Sequence, residues 1–408
     1  MPDSRVQLVF GSAVSEAPDP ADAVAEVIAS LHSQLAESVD LLLFFVSTEH
    51  RSALSSIAGL LEDAIKPAAM LGALSRGVIG HTREIERGPA ISALAARLPG
   101  VHLHPFTLDA SRSARLTRYR RALRNTIAGD AGADEQRAVI MLVDPFSTPL
   151  VKLLPAIDEM IGSAPVYGAL VNAGKQAGDN RIVTGSTTLT QGAAGVTLSG
   201  PLLVHNVVSP GCRPIGRPLV ITRAKRHVVQ QLAGRNALTL VRELAGELDE
   251  HDRALVEETG LLVGRVIDEH KPRFGRGDFL IRSLVGVDPD AGYIAIGDPQ
   301  IRVGQTIQFH LRDQEAAATD LAMLLDAQRL YGPPAGALLV SGATRGSQLY
   351  DEPDADVAMV QQAMGGQVPV AGCFAAGEIG AVAGRSHVHN HTVNLLTFRA
   401  PEAQPAEV

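Results

Sequence analysis

Three histidines alternate near the C-terminal end of the chain, in RSHVHNH (Arg385–His391). On a β-strand His387, His389 and His391 would share one face. Three imidazoles on one face suit a transition metal, although no Cys, Asp or Glu stands at ligand spacing beside them. The same histidines, with Arg385 and Asn390, equally suit the polar lining of a pocket or a hydrogen-bonded surface. Just upstream, Glu378 follows Gly377 at the end of an apolar run. A carboxylate there can hold a ligand amine, cap a helix or pair with an arginine such as Arg385. Arg345 and Tyr350 lie in SGATRGSQLYDEP, directly after another apolar run. An arginine fork at that position suits a carboxylate or phosphate, or a loop salt bridge to Asp351 or Glu352. Cys373, between Gly372 and Phe374, reads as a buried inert thiol; as a nucleophile it would need a base, such as one of the histidines. No Walker loop, dinucleotide fingerprint, G-x-S-x-G elbow, H-E-x-x-H or kinase set is present, and no cofactor is expected.

The elements that must position these groups follow one pattern used three times. An apolar strand leads into a helix and then a second strand ending in glycines. The first strands are Leu41–Ser47, Val139–Phe146 and Ala337–Ala343. The second halves are MLGALSRGVIG (Met70–Gly80), VYGALVNAGKQ (Val166–Gln176) and VAGCFAAGEIG (Val370–Gly380). The gap matches a βαβ crossover, and strand ends of this kind are where α/β sheets place ligands. Gly72, Gly168 and Gly372 read as close-packing positions rather than ligand contacts. RIVTGS, AGVTLSG and LLVHNVVS read as antiparallel additions, and SPGCRPIGRP (Ser209–Pro218) as a turn or linker. The expected fold is α/β, two-domain, with mixed parallel and antiparallel sheets built from repeated βαβ units. The expected boundaries are 1–217, 218–399 and a flexible tail, 400–408.

Composition narrows the function. The chain has 408 residues, 36 Lys+Arg against 44 Asp+Glu, and a formal charge of −8. With 4% aromatics and no Trp, it lacks the basic, aromatic-interleaved surface that nucleic-acid binding needs. The basic stretch SRSARLTRYRRALR (Ser111–Arg124) has helical spacing and reads as a solvated helix face. No apolar run approaches the roughly 20 residues of a membrane helix, and no secretory signal is visible. Two cysteines make no disulfide framework. No nucleic acid, no membrane and a cytoplasmic location are expected.

Several segments in one order resemble the FIST family (F-box and intracellular signal transduction proteins). VAGCFAAGEIG is similar to its glycine-rich G-F-x-x-G-E-I-G segment. VSPGCRPIG (Val208–Gly216), QQLAGRNALTL (Gln230–Leu240), FLIRSLVGVDPDAGYIAIGD and GQTIQFHLRD (Gly304–Asp313) resemble further stretches of it. The resemblance runs from about Val39 to Phe398. It departs at position 78, which is Val where the family more often has Glu, and at Arg235-Asn236, which replace Lys-Pro. It implies FIST N-terminal and C-terminal domains and a cytoplasmic sensory protein that binds a polar or anionic metabolite such as an amino acid. It also implies a signalling partner protein in trans, since no stretch is expected to remain for an output domain. Arg282 and Arg312 match its C-terminal pattern and join Arg345, Tyr350, Cys373, Glu378, Arg385, His387, His389 and Asn390 as ligand-binding candidates. Two other readings stay open: a metal- or thiol-dependent enzyme using the histidines and Cys373, and an interaction scaffold.

Overall fold

The computed structural model describes residues 7–401, except 36–37, 111–118, 131, 133–134 and 163. The chain order shows one eight-element unit written three times. The first is β1 (Val9–Ser15), α1 (Pro20–Gln34), β2 (Leu41–Ser47), α2 (Leu54–Ile65), β3 (Ala69–Ser75), β4 (Val78–Ile79), β5 (Glu84–Ile85) and β6 (Ile91–Arg97). The second is β7 (His102–Leu108), α3 (Arg120–Ala128), β8 (Gln136–Val143), α4 (Leu150–Ile161), β9 (Val166–Leu170), β10 (Ile182–Thr184), β11 (Thr187–Leu189) and β12 (Ala193–Ser199). The third opens with β13 (Leu203–Pro210) and is interrupted by an insertion. The insertion holds β14 (Cys212–Lys225), β15 (Val228–Leu232), β16 (Arg235–Asn236), α5 (Ala237–Glu247), α6 (Glu250–Thr259), β17 (Leu262–Val266), β18 (Phe279–Asp288), β19 (Tyr293–Ile296) and β20 (Thr306–Arg312). The third unit then resumes with α7 (Gln314–Gln328), β21 (Gly336–Gly342), α8 (Ala355–Met364), β22 (Val370–Ala375), β23 (Gly377–Val382), β24 (Arg385–His389) and β25 (Thr392–Arg399).

The local signals behind these elements are ordinary. Asp19 caps α1, accepting from the N–H groups of Ala21 and Asp22. The fully buried runs LLLFFVS and GALLVSG form central strands covered on both faces. Gly365, at φ 95°, ends α8 in the left-handed region, as its sequence predicts. The segment 209–218 is not a linker. It ends β13 and starts β14, whose ladder with β20 shifts register between Ile215 and Leu219. Pro214 and Pro218 are tolerated around that bulge. Residues 111–118 of the basic stretch and 402–408 of the tail lie outside the described residues.

Three six-stranded sheets have one order, with a hairpin exchanged between repeats: β1-β6-β2-β3-β10-β11, β7-β12-β8-β9-β23-β24 and β13-β25-β21-β22-β4-β5. Each contains one parallel βαβ pair (β2/β3, β8/β9, β21/β22), set among antiparallel ladders such as β1/β6, β10/β3 and β21/β25. Repeat 1 lends β4–β5 to the sheet of repeat 3, repeat 3 lends β23–β24 to that of repeat 2, and repeat 2 lends β10–β11 to that of repeat 1. Gly72, Gly168 and Gly372 stand at one register, opposite Phe44, Met141 and Leu339. A Cβ there would lie 2.3 Å from the Phe44 ring, 1.8 Å from the Met141 carbonyl oxygen and 1.6 Å from that of Leu339. The glycines are therefore close-packing positions, as expected. Alternate residues of the parallel strands face one core, among them Ile140, Leu142, Ala169, Leu338, Val340 and Cys373; Val139, Met141 and Val143 face α4 instead.

The chain forms two compact units: 1–208 with 324–388 and 393–408, and 209–323 with 389–392. This spatial partition crosses the linear boundary at 217/218, because the third βαβ pair packs in the first unit. In the second unit β14 pairs with both β20 and β15, so that β14, β20, β17, β18, β19 and β15 close into an antiparallel barrel around Val263, Ile294, Ile307 and Phe309.

Candidate functional site

The exchanged hairpins put three residues at equivalent places. Across the ladders, Val78 faces Cys373, Ile182 faces Ala73 and Glu378 faces Ala169. All six are buried, from 0 to 3% exposed. Repeats 1 and 2 fill this inner layer with Val78 and Ala73 and with Ile182 and Ala169. The third carries a carboxylate, and a thiol replaces one alanine. A carboxyl group held in an apolar layer costs free energy unless it is partnered, so Glu378 breaks the equivalence of the three repeats.

The C-terminal strand ends beside this layer are polar. The Ser75 hydroxyl, at the end of β3, lies 2.8 Å from the Gly77 carbonyl, 2.8 Å from that of Phe374 and 3.1 Å from Asn172 Oδ1. One hydroxyl proton serves only one of these three acceptors. Asn172, just past β9, also accepts the Arg76 N–H at 2.9 Å. That donor fixes the amide orientation, since the flipped amide would set N–H against N–H. Asn172 Nδ2 is then buried with no hydrogen-bond partner. Ser75 also touches the Cys373 thiol, whose pKa burial pushes well up, with the Glu378 charge adding to the rise. This thiol is not a ready nucleophile. Ser75, Asn172, and Cys373 with Glu378 come from repeats 1, 2 and 3 respectively, so the cluster is built by all three.

Arg345 and Tyr350 come together elsewhere. Arg345 is fully buried in the loop after β21. Its Nε and Nη2 donate to the two Asp356 oxygens at 2.8 and 2.7 Å, and Nη2 also reaches Tyr350 Oη at 2.7 Å. Ser341 Oγ donates to the same carboxylate at 3.0 Å. The partner is Asp356, in the first turn of α8, rather than Asp351 or Glu352. Burial alone would lower the Arg345 pKa; the Asp356 charge and hydrogen bonds more than offset it. Ser341 and Phe374 share one face of their sheet, and Val340 and Cys373 share the other. The Arg345 group therefore lies on the α8 side, away from Cys373.

The remaining candidates scatter. Arg385 is exposed and His387 half-buried on β24, whereas His389 is buried. The strand ends at His389, and His391 adopts φ 62°, so it does not continue a face shared by His387 and His389. Among the described residues no group of three or more His, Cys, Asp or Glu is placed to hold a metal ion. In the barrel unit, Asn390 Oδ1 accepts from Arg282 Nη1 at 3.3 Å, and Arg282 stands 3.4 Å from Asp298, which Arg265 also binds at 2.8 Å. Arg312 lies opposite Cys212 on β20 and β14.

Ser75, Asn172, Asp356 and Glu84 were not among the sequence candidates. The signal for the inner cluster lay in the repeats: GVIG (77–80) against GEIG (377–380) shows the Val78/Glu378 exchange. Nothing in the sequence marked Asn172 or Glu84.

The order of segments, the repeated strand ends and the site now meet the comparisons with known proteins. The FIST N domain matches residues 40–235 and the FIST C domain residues 237–381. This chain belongs to the FIST family. FIST domains are generally sensory, ligand-binding domains of signal transduction. Ser75 and Asn172 fall in FIST N, and Cys373 and Glu378 in FIST C. Similar proteins include the uncharacterized protein Rv0628c of Mycobacterium tuberculosis (strain ATCC 25618 / H37Rv), 36% identical over 393 residues, 95% of this chain and 99% of that one. Mb0898c of Mycobacterium bovis (strain ATCC BAA-935 / AF2122/97), also uncharacterized, is 35% identical over 395 residues, 95% of this chain and 98% of that one. Among solved structures, cyanuric acid hydrolase from A. caulinodans matches with TM-score 0.37 at 9% identity, over 97% of this chain and 99% of that one. A chorismatase matches with TM-score 0.32 at 10% identity, over 97% and 99%. Neither likeness carries a substrate to this FIST chain. Among its described residues, no helix is long and apolar enough to cross a membrane.

Proposed function

We propose that this FIST protein is a small-ligand sensor whose ligand sits against the inner three-repeat cluster of Ser75, Asn172, Cys373 and Glu378. The observation carrying the reading is the broken equivalence of the repeats: Glu378 occupies the place of Val78 and Ile182. The groups offered are a carboxylate and the unpartnered amide donor of Asn172. A molecule with an amino group for Glu378 and an acceptor for Asn172 matches both, and an amino acid is the simplest such metabolite. The reading favours an amine-bearing ligand over a purely anionic one, because the Arg345 fork is spent on Asp356. It assigns the protein to the cytoplasm, in keeping with two buried cysteines outside any disulfide, and gives it a partner protein in trans as its output. The test is a thermal-shift screen of amino acids, amines and organic acids on the full chain, with native mass spectrometry alongside. An amine-bearing compound that raises the melting temperature by several degrees supports the reading. Stabilisation by organic acids alone, or by nothing, overturns it.

A further inference from the structure

The β4–β5 hairpin is a strand pair of repeat 1 built into the sheet of repeat 3. Its Glu84 is 7% exposed. Glu84 Oε1 accepts the Val357 N–H in the first turn of α8 at 2.8 Å, and the Glu84 N–H donates to Asp354 Oδ1 at 2.6 Å. Oε2 is buried and has no hydrogen-bond partner. Beside it Asp356 spends both oxygens on Arg345, whose Nη1 is also buried without a partner. The other polar groups around Glu84 are Tyr350 on the Arg345 side and Asp354 at the start of α8, which Arg83 meets at 3.4 Å. Farther along the hairpin, Glu86 takes the Ser347 N–H and hydroxyl at 2.6 and 2.8 Å, and the His81 carbonyl takes Gln361 Nε2 at 2.7 Å.

Two buried carboxyl groups thus stand near one guanidinium, and only Asp356 contacts it. Asp356 holds that guanidinium in a bidentate grip, so a second negative charge on Glu84 is poorly balanced. A neutral Glu84 fits: it keeps the Val357 contact and leaves no bare charge on Oε2. Burial first, and the Asp356 charge second, push the Glu84 carboxyl up to about 8. We propose that Glu84 is a proton-operated latch: neutral, it pins the β4–β5 hairpin of repeat 1 to the first turn of α8 in repeat 3, and charged, with its proton given to bulk water, it lets the hairpin go. The hairpin grows directly out of Ser75 and Gly77, and its Val78 faces Cys373. Release therefore loosens one wall of the inner cluster. That consequence for ligand access rests on the sensor reading, whereas the latch does not.

Hydrogen-exchange mass spectrometry on the full chain between pH 6.5 and 9 tests it, with rates corrected for the intrinsic pH dependence of exchange. Protection of residues 78–86 and of Val357 should fall about tenfold from pH 7 to 9 in the wild type and stay level in Glu84→Gln, which mimics the neutral acid. Parallel profiles in the two proteins overturn the latch. If Glu84→Gln does not fold, the wild type alone decides, with β8 and β12 as the internal reference. A hairpin that loses no more protection than these strands overturns the proposal. Failure of the ligand screen with a positive exchange result removes the sensor reading and leaves the latch.

Discussion

Removing the Arg345 guanidinium tests whether its pair with Asp356 is a fixed internal strut. In Arg345→Met the side chain keeps similar length and loses all charge. Asp356 retains the Ser341 hydrogen bond at 3.0 Å but loses both contacts to its counter-ion, and Glu84 stands beside it. Both side chains of the pair are 0% exposed, so water does not screen the stranded carboxylate. Deleting one partner of a buried pair costs about 3–5 kcal/mol, a large part of the roughly 5–15 kcal/mol that holds a domain together. Removing both charges in Arg345→Met with Asp356→Leu leaves no stranded charge and should recover most of the loss, less what the Ser341 and Tyr350 hydroxyls lose as partners. The chain has no Trp, so urea unfolding followed by far-UV circular dichroism is the suitable assay. The single variant should unfold at clearly lower urea, and the double variant close to the wild type. A single variant within about 1 kcal/mol of wild type, or a double variant no better than the single, would refute the reasoning.

The packing and the charges give three further outcomes. Glu84 is raised from 4.5 to about 8, so the folded state holds a proton that the unfolded chain releases between those values. Its contribution is complete below the lower value and is lost as pH rises through the upper one; it amounts to a few kcal/mol at most, roughly, by linkage. Urea midpoints should therefore decline from pH 6 to 9 in the wild type and decline less in Glu84→Gln; equal slopes would count against the burial argument. Gly372→Ala should prevent soluble folding, since its Cβ would sit 1.6 Å from the Leu339 carbonyl oxygen. Gly59→Ala in α2, where nothing lies within 4 Å, should stabilise by about 0.5–1 kcal/mol. Soluble, native-like Gly372→Ala protein would contradict the close-approach assignment.

The sequence made the repeats legible because βαβ units leave a strong local mark: an apolar run, a helix and a glycine that lets two strands approach. Gly72, Gly168 and Gly372 were read as packing residues, and the ladders bear this out. The hairpin exchange was not legible. β4 and β5 are two residues each, too short to show period-two alternation, and β4 pairs with a strand nearly 300 positions away in sequence. Without that exchange Glu84 had no visible partner, and Arg345 was paired by proximity with Asp351 or Glu352 rather than with Asp356 on the next helix. The histidine face failed for a local reason. His391 turns into the left-handed region and ends the alternation that His387 and His389 begin. Glu378 was singled out for its place beside a glycine. Its better credential, Val78 at the matching place of GVIG, stood in the repeats, whereas Ile182 at the same register needed the sheets.

The most direct test of the sensor reading compares ligand-induced stabilisation in wild type and Glu378→Val. The substitution installs the residue that repeat 1 already carries at this place, so the fold should hold. The account predicts that an amine-bearing ligand stabilises the wild type by several degrees and leaves Glu378→Val unmoved. Equal stabilisation of both proteins would contradict it, because the ligand would then be held somewhere other than the cluster that the three repeats build together.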